Sequence, residues 1–415
     1  MSDGTSLFRN ILLLQGPVGP FFKNLADYIQ GAGVNVHKIN FNAGDWLFFH
    51  GRNSLSYRGT FENWPEYLRR FLHAQKIDAI VMFGDTRAYH RAAISIAKEE
   101  KLLPIIFEEG YVRPNFITME PYGVNGYSIA FRRYSKHFFQ NTSLHSKEQF
   151  FKNAYRELSI YSTLYYIAKS VGLIVFPYYK HHKKRSTLSE AFHWIVAGVR
   201  KILSHNRDIR IAENLVRSYP RRYFFVPLQV HNDSQICYHS RYVDVEEFVE
   251  QVVESFGRHA ASDTRLVLKH HPLDRGYRNY EALIRRVAAR HGATDRVFYI
   301  CDAHLPALLR NAAGTVTINS TMGISSLYHG TPVKALGEAV YTGFQGLVAS
   351  CSLEEFWRIR EPVNQDLFGN FRKYLMMTSQ INGSFYARTL DGGFYERILG
   401  RMAELYENVG VRHDC

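Results

Sequence analysis

The chain alternates short apolar runs with amphipathic segments, and it does so in two separate series. In the first series, apolar runs of strand length end on turn residues and are followed by segments with helical periodicity. The predicted strands are 10–16, 34–41, 77–85 and 103–110, and the predicted helices are 21–30, 64–76 and 89–101. Strands that alternate with helices in this way form a parallel sheet that is covered on both faces.

The second series begins at Arg221 and predicts another sheet of the same kind. Its predicted strands are 221–230, 265–271, 296–300, 314–319 and 332–336. A chain of 415 residues is also long for a single core. We therefore predict an α/β protein of GT-B-like fold with two Rossmann-type domains. The N-terminal domain would span 1–218 with a helical insertion, the C-terminal domain 219–365, and helices over 366–415 would pack back across the cleft.

Charge and cysteine content limit the class of partner. The formal net charge is +13, which suits nucleic acid, anionic lipid or an anionic small substrate. No zinc knuckle, RNP-like motif or recognition-helix pattern is found, so we expect no nucleic-acid partner. The cysteines at 237, 301, 351 and 415 are isolated, which disfavours a disulfide framework and favours the cytoplasm. No apolar run approaches the ~18 residues that span a bilayer.

Three loops follow predicted strands of the second series. Because the carboxyl ends of parallel strands meet at one edge, we expect these loops to form a binding site for an activated donor. The candidate donor-binding residues are Gln229, Asp233, Lys269, His270, Pro272, Asn319, Ser320, Thr321, Gly323, Ser325, Glu338 and Tyr341. Neither a P-loop motif nor a G-x-G-x-x-G fingerprint is found.

The chemistry of these loops suits a phosphate. Ser320 and Thr321 begin a predicted helix, whose free N–H groups favour an anion, and Gly323 would let a ligand approach closely. His271 could donate to a departing phosphate or protonate it. Read alone, Ser-Thr is a helix cap and His-Pro is a strand end, so the structural alternative stays open.

The first series ends in "FEEGYVRP", which places Glu108 and Glu109 at the end of a strand. They are either solvated acids that pair with Arg113, or catalytic carboxylates with Arg113 as partner or as a clamp on an acidic substrate. The other candidate contacts for a substrate carboxylate or acceptor are Gly16, Gly19, Asp85 and Arg87, which follow neighbouring strands. No D-x-D motif or metal-ligand cluster is found, so we expect no metal and no other cofactor.

A basic run follows the apolar and aromatic segment 172–179. It contains Lys180, Lys183, Lys184 and Arg185. One interpretation is a solvated loop. The other is an anchor on an anionic membrane surface, where each Lys or Arg contributes about 1 kcal/mol.

Several of these stretches together resemble the capsule polysaccharide biosynthesis and export family, in particular the single-module β-Kdo transferases of Gram-negative bacteria (Kdo is 3-deoxy-D-manno-oct-2-ulosonic acid). The stretches are "QGPVGPFF", "FGDTRAYHRAA", "FEEGYVRPNFITME", "PLQVHNDSQI", "KHHPLDRG" and "NSTMGISSLYHGTPVKALGEAVY". The resemblance implies transfer of Kdo from CMP-Kdo to a phosphatidylglycerol-type lipid with retention of configuration. It also implies a peripheral position at the cytoplasmic face of the inner membrane, in a capsule complex with a two-module Kdo transferase and an ABC exporter.

The resemblance also implies roles for particular residues. His271 and Pro272 would contact CMP, and Ser320 and Thr321 its phosphate. Glu109 would be the nucleophile, with Glu108 as acid/base assistant, although the family pattern Glu-Asp-Gly reads Glu-Glu-Gly here. The alternatives are another nucleotide-sugar enzyme, such as an epimerase or a UDP-sugar transferase, and a non-catalytic export adaptor.

Overall fold

The structure is a computed structural model that describes residues 7–128, 149–151, 154–179, 187–358, 362–388 and 392–410. The described residues form two compact units. The first unit comprises those up to 187 together with those from 375 onward, and the second comprises 188–374. Each unit contains one sheet flanked by helices. The prediction of an α/β protein with two Rossmann-type units is confirmed.

The first unit contains a seven-stranded sheet with the order β12-β6-β5-β4-β1-β2-β3. Its strands are β1 (Asn10–Leu13), β2 (Asn35–Asn40), β3 (Ser54–Ser56), β4 (Ala79–Phe83), β5 (Leu103–Glu109), β6 (Phe116–Pro121) and β12 (Gln380–Asn382). Strands β1 to β5 are parallel, whereas β6 pairs antiparallel with β5, and β12 pairs antiparallel with β6. Its helices are α1 (Phe21–Gly31), α2 (Ala43–Phe48), α3 (Trp64–Ala74), α4 (Ala88–Glu99), α5 (Ala154–Val171) and α14 (Gly392–Gly410).

Both faces of this sheet are buried, which explains why its strands read as continuous apolar runs. Successive residues of β1 enter opposite cores: Leu13 packs with Phe21 and Ile398 on one face, and Leu12 packs with Trp64 on the other. This alternation is the two-residue repeat of a strand. The helices on each face therefore fix the sheet from both sides.

The second unit contains a five-stranded parallel sheet with the order β11-β10-β7-β8-β9. Its strands are β7 (Tyr223–Pro227), β8 (Arg265–Lys269), β9 (Val297–Ile300), β10 (Gly314–Thr317) and β11 (Val333–Ala335). The remaining helices are α6 (Thr187–Ser218), α7 (Ser234–His239), α8 (Val245–His259), α9 (Glu281–Arg290), α10 (Leu305–Asn311), α11 (Met322–Tyr328), α12 (Leu353–Phe356) and α13 (Gln365–Thr378).

The strand order of each sheet reverses at its first strand. β1 lies between β2 and β4, and β7 lies between β8 and β10. Ligands of doubly wound proteins bind outside the carboxyl ends of the strands at such a reversal. The loops that follow β1 and β7 therefore mark the expected binding edge of each unit.

The limits of the units differ from the predicted boundaries at 218 and 365. Residues 188–218 belong to the second unit. There the buried Asp208 of α6 accepts hydrogen bonds from the backbone N–H groups of Cys301 and Asp302, at 2.7 and 3.2 Å. Residues from 375 onward belong to the first unit because β12 extends its sheet.

Candidate functional site

The loop that follows β7 is fastened to both neighbouring loops of the second unit. On one side, the Gln229 side-chain amide donates to Asn319 Oδ1 at 2.9 Å, and the Asn319 backbone N–H donates to Gln229 Oε1 at 3.2 Å. On the other side, the backbone N–H of His231 donates to Asp274 Oδ2 at 3.2 Å, and His231 Nδ1 bonds the same carboxylate. Loops that follow three adjacent strands are thus held together where the strand order reverses.

His271 and Pro272 lie in the loop after β8, as the sequence predicts. Pro272 begins a short 3-10 turn, Pro272–Asp274, and His271 Nδ1 accepts the Leu273 N–H at 3.2 Å. A neutral His271 therefore carries its proton on Nε2. That tautomer makes His271 a hydrogen-bond donor, which is the role that contact with a phosphate requires.

His270 and Lys269 were predicted to bind the activated donor. Their side chains instead lie in the interior of the second unit. The His270 side chain is buried and its Nδ1 lies 2.7 Å from the Tyr299 hydroxyl. Burial lowers the pKa of His270 to about 4 and also lowers the pKa of Lys269. The Lys269 ammonium donates to the His270 carbonyl at 3.3 Å, so these two side chains support the loop from inside the unit.

Ser320 and Thr321 lie at the start of helix α11, and Gly323 lies in its first turn. Gly323 leaves room for a packed side chain and not for a ligand. Ser320 Oγ accepts the N–H of Met322 at 3.2 Å, whereas the Thr321 side chain makes no capping bond. A Cβ on Gly323 would lie 2.5 Å from the Tyr341 hydroxyl. Tyr341 is buried and donates to the Ser320 carbonyl at 2.8 Å. The space predicted for a ligand beside Gly323 is therefore filled by Tyr341.

The remaining residues that were predicted to contact the activated donor follow other strands of the second sheet. Asp233 caps α7 by accepting the Gln235 N–H at 2.9 Å and also accepts the Gln229 amide at 3.1 Å. Ser325 is partly buried on α11. Glu338 is exposed and lines an open cavity of about 860 Å³ with Arg241 and Lys334 beside the end of β11.

Helix α6 holds the turn that follows the His-Pro motif, a contact that the sequence analysis missed. The Arg200 guanidinium donates to the carbonyls of Arg275 and Arg278, at 2.6 and 2.9 Å. His193 Nδ1 lies 3.0 Å from the Gly276 carbonyl, and a Cβ on Gly276 would lie 2.0 Å from the His193 carbonyl. The glycine of the Asp-Arg-Gly turn was the one available signal of this close approach.

In the first unit, Glu108 and Glu109 end β5 with different surroundings. Glu109 Oε1 accepts the Tyr386 hydroxyl at 2.7 Å, and Glu108 Oε1 accepts the Glu109 N–H at 2.9 Å. Burial raises the pKa of Glu108 to about 7, against the opposing effect of the Glu109 N–H and with the aid of the Glu109 charge. At neutral pH Glu108 therefore divides between acid and carboxylate, as a general acid or base requires.

Arg87 is an arginine whose charge acts on Glu108. The Arg87 charge opposes the rise in the pKa of Glu108 and in that of Tyr386, and its guanidinium lies 5.5 Å from the Phe83 ring centre. Arg113 is exposed, and its Nε donates to the Gly110 carbonyl of its own turn at 3.1 Å. The predicted pairing of Arg113 with the acids is replaced by this local bond.

The neighbours of Asp85, Gly16 and Gly19 are other residues of the first unit, which they help to pack or to hydrogen-bond. Asp85 is buried and accepts the Val124 N–H at 2.9 Å, and burial raises its pKa. A Cβ on Gly16 would lie 2.8 Å from the Phe22 ring, and one on Gly19, at φ +103°, would lie 2.6 Å from the Tyr161 ring. Aromatic packing therefore accounts for both glycines. Lys180, Lys183, Lys184 and Arg185 lie outside the described residues.

A buried polar cluster lies at the end of β1 and includes Tyr165, which the sequence analysis missed. The Gln15 amide donates to Asp45 Oδ1 at 2.9 Å and to the Tyr165 hydroxyl at 2.7 Å, and that hydroxyl donates to Asp45 Oδ1 at 3.0 Å. Tyr386 was also missed, since it is 277 residues away from Glu109 in the chain. No local sequence pattern links residues so far apart.

Two doubly wound units with polar loops at the carboxyl ends of their strands define a class of α/β protein that binds ligands at sheet edges. The sequence profile of the family described as "Capsule polysaccharide biosynthesis protein" matches residues 78–386. The chain belongs to this family, as its motifs predict.

Two relatives of similar length match almost the whole chain. The chain is 38% identical over 389 residues to the capsule polysaccharide modification protein LipB of Neisseria meningitidis serogroup A, covering 92% of each. It is 38% identical over 381 residues to the capsule polysaccharide export protein KpsS of Escherichia coli, covering 91% of this chain and 97% of that protein.

A solved structure of a glycosyltransferase from Rickettsia africae covers 97% of this chain and 99% of its own, with a TM-score of 0.38 and 11% identity. Similarity at this level carries no argument about function.

Within the described ranges, no helix is long and apolar enough to cross a membrane. The expectation that no metal is needed stays a prediction.

We predict that Gly323→Ala lowers stability, because its Cβ would overlap the buried Tyr341 ring. Overpacking of this kind costs about 1–3 kcal/mol. Chemical denaturation followed by tryptophan fluorescence measures the loss. Gly369→Ala is the matched control, since Gly369 lies in helix α13 with open space around its Cβ position. Equal stability of the two variants would contradict the packing role of Gly323.

Proposed function

We propose that the protein is a retaining β-Kdo glycosyltransferase that transfers Kdo from CMP-Kdo to a phosphatidylglycerol-type lipid acceptor and so starts the linker of a capsular polysaccharide. The observation that carries the proposal is the acid pair Glu108–Glu109, in which one carboxylate is oriented by Tyr386 and the other has a pKa raised to about 7. Membership of the capsule family, and the names of relatives that modify or export capsule polysaccharide, support the biological setting.

Retention of configuration requires two displacements at the anomeric carbon. In the first, a Glu109 carboxylate oxygen forms a bond to that carbon as the bond to the CMP phosphate breaks. The Tyr386 hydroxyl fixes the direction of the Glu109 carboxylate. In the second, the acceptor hydroxyl displaces Glu109 while Glu108 takes the hydroxyl proton.

The donor carries two anionic groups, and the chain offers a suitable side chain for each. Kdo has a carboxylate on its anomeric carbon, and CMP adds a phosphate. Arg87, whose charge already acts on Glu108 and Tyr386, is suited to the Kdo carboxylate. His271 is suited to the phosphate, because its Nδ1 already accepts a backbone N–H and a neutral ring then donates through Nε2.

An exposed apolar segment supports attachment to a membrane surface. Leu173, Ile174 and Tyr178 follow helix α5, and Ile174 is 91% exposed. The basic run 180–185 comes directly after them in the sequence. Apolar side chains next to Lys and Arg bind anionic lipid through burial and charge together. We propose that this segment anchors the protein to the cytoplasmic face of the inner membrane, beside a two-module Kdo transferase and the capsule ABC exporter.

We predict that Glu109→Gln reduces transfer of radiolabelled Kdo by about a thousandfold or more, because an amide does not form the covalent intermediate. An unchanged melting temperature would show that folding survives. Glu66→Gln is the control, since Glu66 is an exposed acid of the same unit. Full activity of Glu109→Gln would exclude the nucleophile, and turnover of a UDP-sugar with CMP-Kdo untouched would exclude the Kdo donor. Absence of any turnover in the wild type would favour an export adaptor.

The raised pKa of Glu108 predicts a pH dependence. As a base, Glu108 must be ionised, so transfer should increase as the pH rises through about 7. Glu108→Gln should be slower by roughly a hundredfold and should lose this limb of the pH profile. Measurement of kcat between pH 5.5 and 8.5 tests both expectations. A variant that is slow but retains the wild-type limb would assign the titration to a different group.

The membrane proposal predicts that Leu173→Asp combined with Ile174→Asp weakens binding to phosphatidylglycerol-containing vesicles by about tenfold or more, because buried apolar area is lost. Flotation with vesicles of defined composition measures the change. Val243→Asp is the control, since Val243 is 81% exposed in the second unit. Charge reversal at 180, 183, 184 and 185 should weaken binding as well. Wild-type binding by both variants would refute the anchor.

A further inference from the structure

His231 is held in one orientation by a buried carboxylate at the point where the strand order of the second unit reverses. Its side chain is 12% exposed, and the Asp274 side chain is 0% exposed. Asp274 accepts the His231 backbone N–H at 3.2 Å, the Tyr280 hydroxyl at 3.1 Å and a bond from His231 Nδ1. A fully buried carboxylate therefore fixes the orientation of one imidazole on the loop after β7.

These bonds give His231 and His271 opposite tautomers. A carboxylate only accepts hydrogen bonds, so His231 Nδ1 carries the proton and the neutral ring has its lone pair at Nε2. His271 accepts a backbone N–H at Nδ1, so its neutral ring has the proton at Nε2. A neutral His271 is therefore a donor at Nε2, whereas His231 becomes a donor there only when protonated. Of the two, His231 is the one arranged to release a proton and take it back.

We propose that His231, oriented by Asp274, is the general acid that protonates the phosphate as it leaves the activated sugar; this inference rests on the proposed function. As the bond between the anomeric carbon and the phosphate oxygen breaks, its electron pair stays on that oxygen and the nucleophile forms the new bond to carbon. The proton on His231 Nε2 passes to the phosphate, and the ring becomes neutral with Nδ1–H still donated to Asp274. The acceptor hydroxyl later loses one proton, so protons balance over the whole transfer.

The groups nearest to the His231 ring come from the loop after β8 and from its own loop. From the loop after β8, Asp274 bonds its ring and the Tyr277 ring centre lies 5.6 Å away. Tyr280 donates to the same carboxylate, and Asp233 lies two residues along the His231 loop. An imidazolium attracts a phosphate and a neutral imidazole does not, so binding of CMP should weaken as the pH rises.

The experiment uses the full chain with CMP as the probe for calorimetry at pH 6 and pH 8, and with CMP-Kdo for single-turnover transfer. We expect His231→Gln to bind CMP about tenfold more weakly at pH 6, to lose the pH dependence and to slow transfer by about a hundredfold. Asp274→Asn should slow transfer as well, because it removes the carboxylate that orients the His231 ring. The control is His205→Gln, since His205 forms an exposed pair with Asp302 at 3.2 Å in the same unit. It should behave as the wild type.

The outcomes separate this inference from the function on which it rests. Wild-type CMP binding and transfer by His231→Gln, with an active wild type, would overturn the role of His231 alone. A wild type that neither binds CMP nor transfers Kdo would overturn the proposed function. Thermal melting checks that each variant folds, and His231→Asn gives the same test if His231→Gln does not fold.

Discussion

The second unit depends on the loop after β7 being tied on both sides. Gln229 exchanges two hydrogen bonds with Asn319 of the loop after β10. His231 forms two hydrogen bonds with Asp274 of the loop after β8. Each partner is at least partly buried, so removal of one would leave the other unsatisfied at a cost of about 1–3 kcal/mol. These pairs hold the polar loops of three strands together.

The two acids of the first unit show how neighbouring residues obtain different properties. Glu108 and Glu109 are successive residues at the end of one strand, and their carboxylates have different neighbours. Glu109 reaches the Tyr386 hydroxyl, whereas Glu108 lies where burial and the charges of Glu109 and Asp85 raise its pKa. A double-displacement mechanism needs such a division between a fixed nucleophile and a group that titrates near neutrality.

The sheets could be predicted from the sequence because strands such as Leu103–Glu109 are buried on both faces and read as apolar runs. Strand β12 could not, since its three residues are a strand only through pairing with β6. The loop positions of the Glu-Glu, His-Pro and Ser-Thr motifs follow from parallel strands. The direction of individual side chains does not, because Arg113 bonds its own turn and Tyr341 fills the space beside Gly323. Such contacts depend on neighbours that no local pattern specifies.

The first unit is assembled from both ends of the chain, whereas the second is one continuous stretch from 188 to 374. During synthesis, every residue of the second unit is joined to the chain before β12 and Tyr386 are made. The first unit therefore waits for its last strand until the second unit has been translated. A chain that stops before Tyr386 lacks the hydroxyl that bonds Glu109.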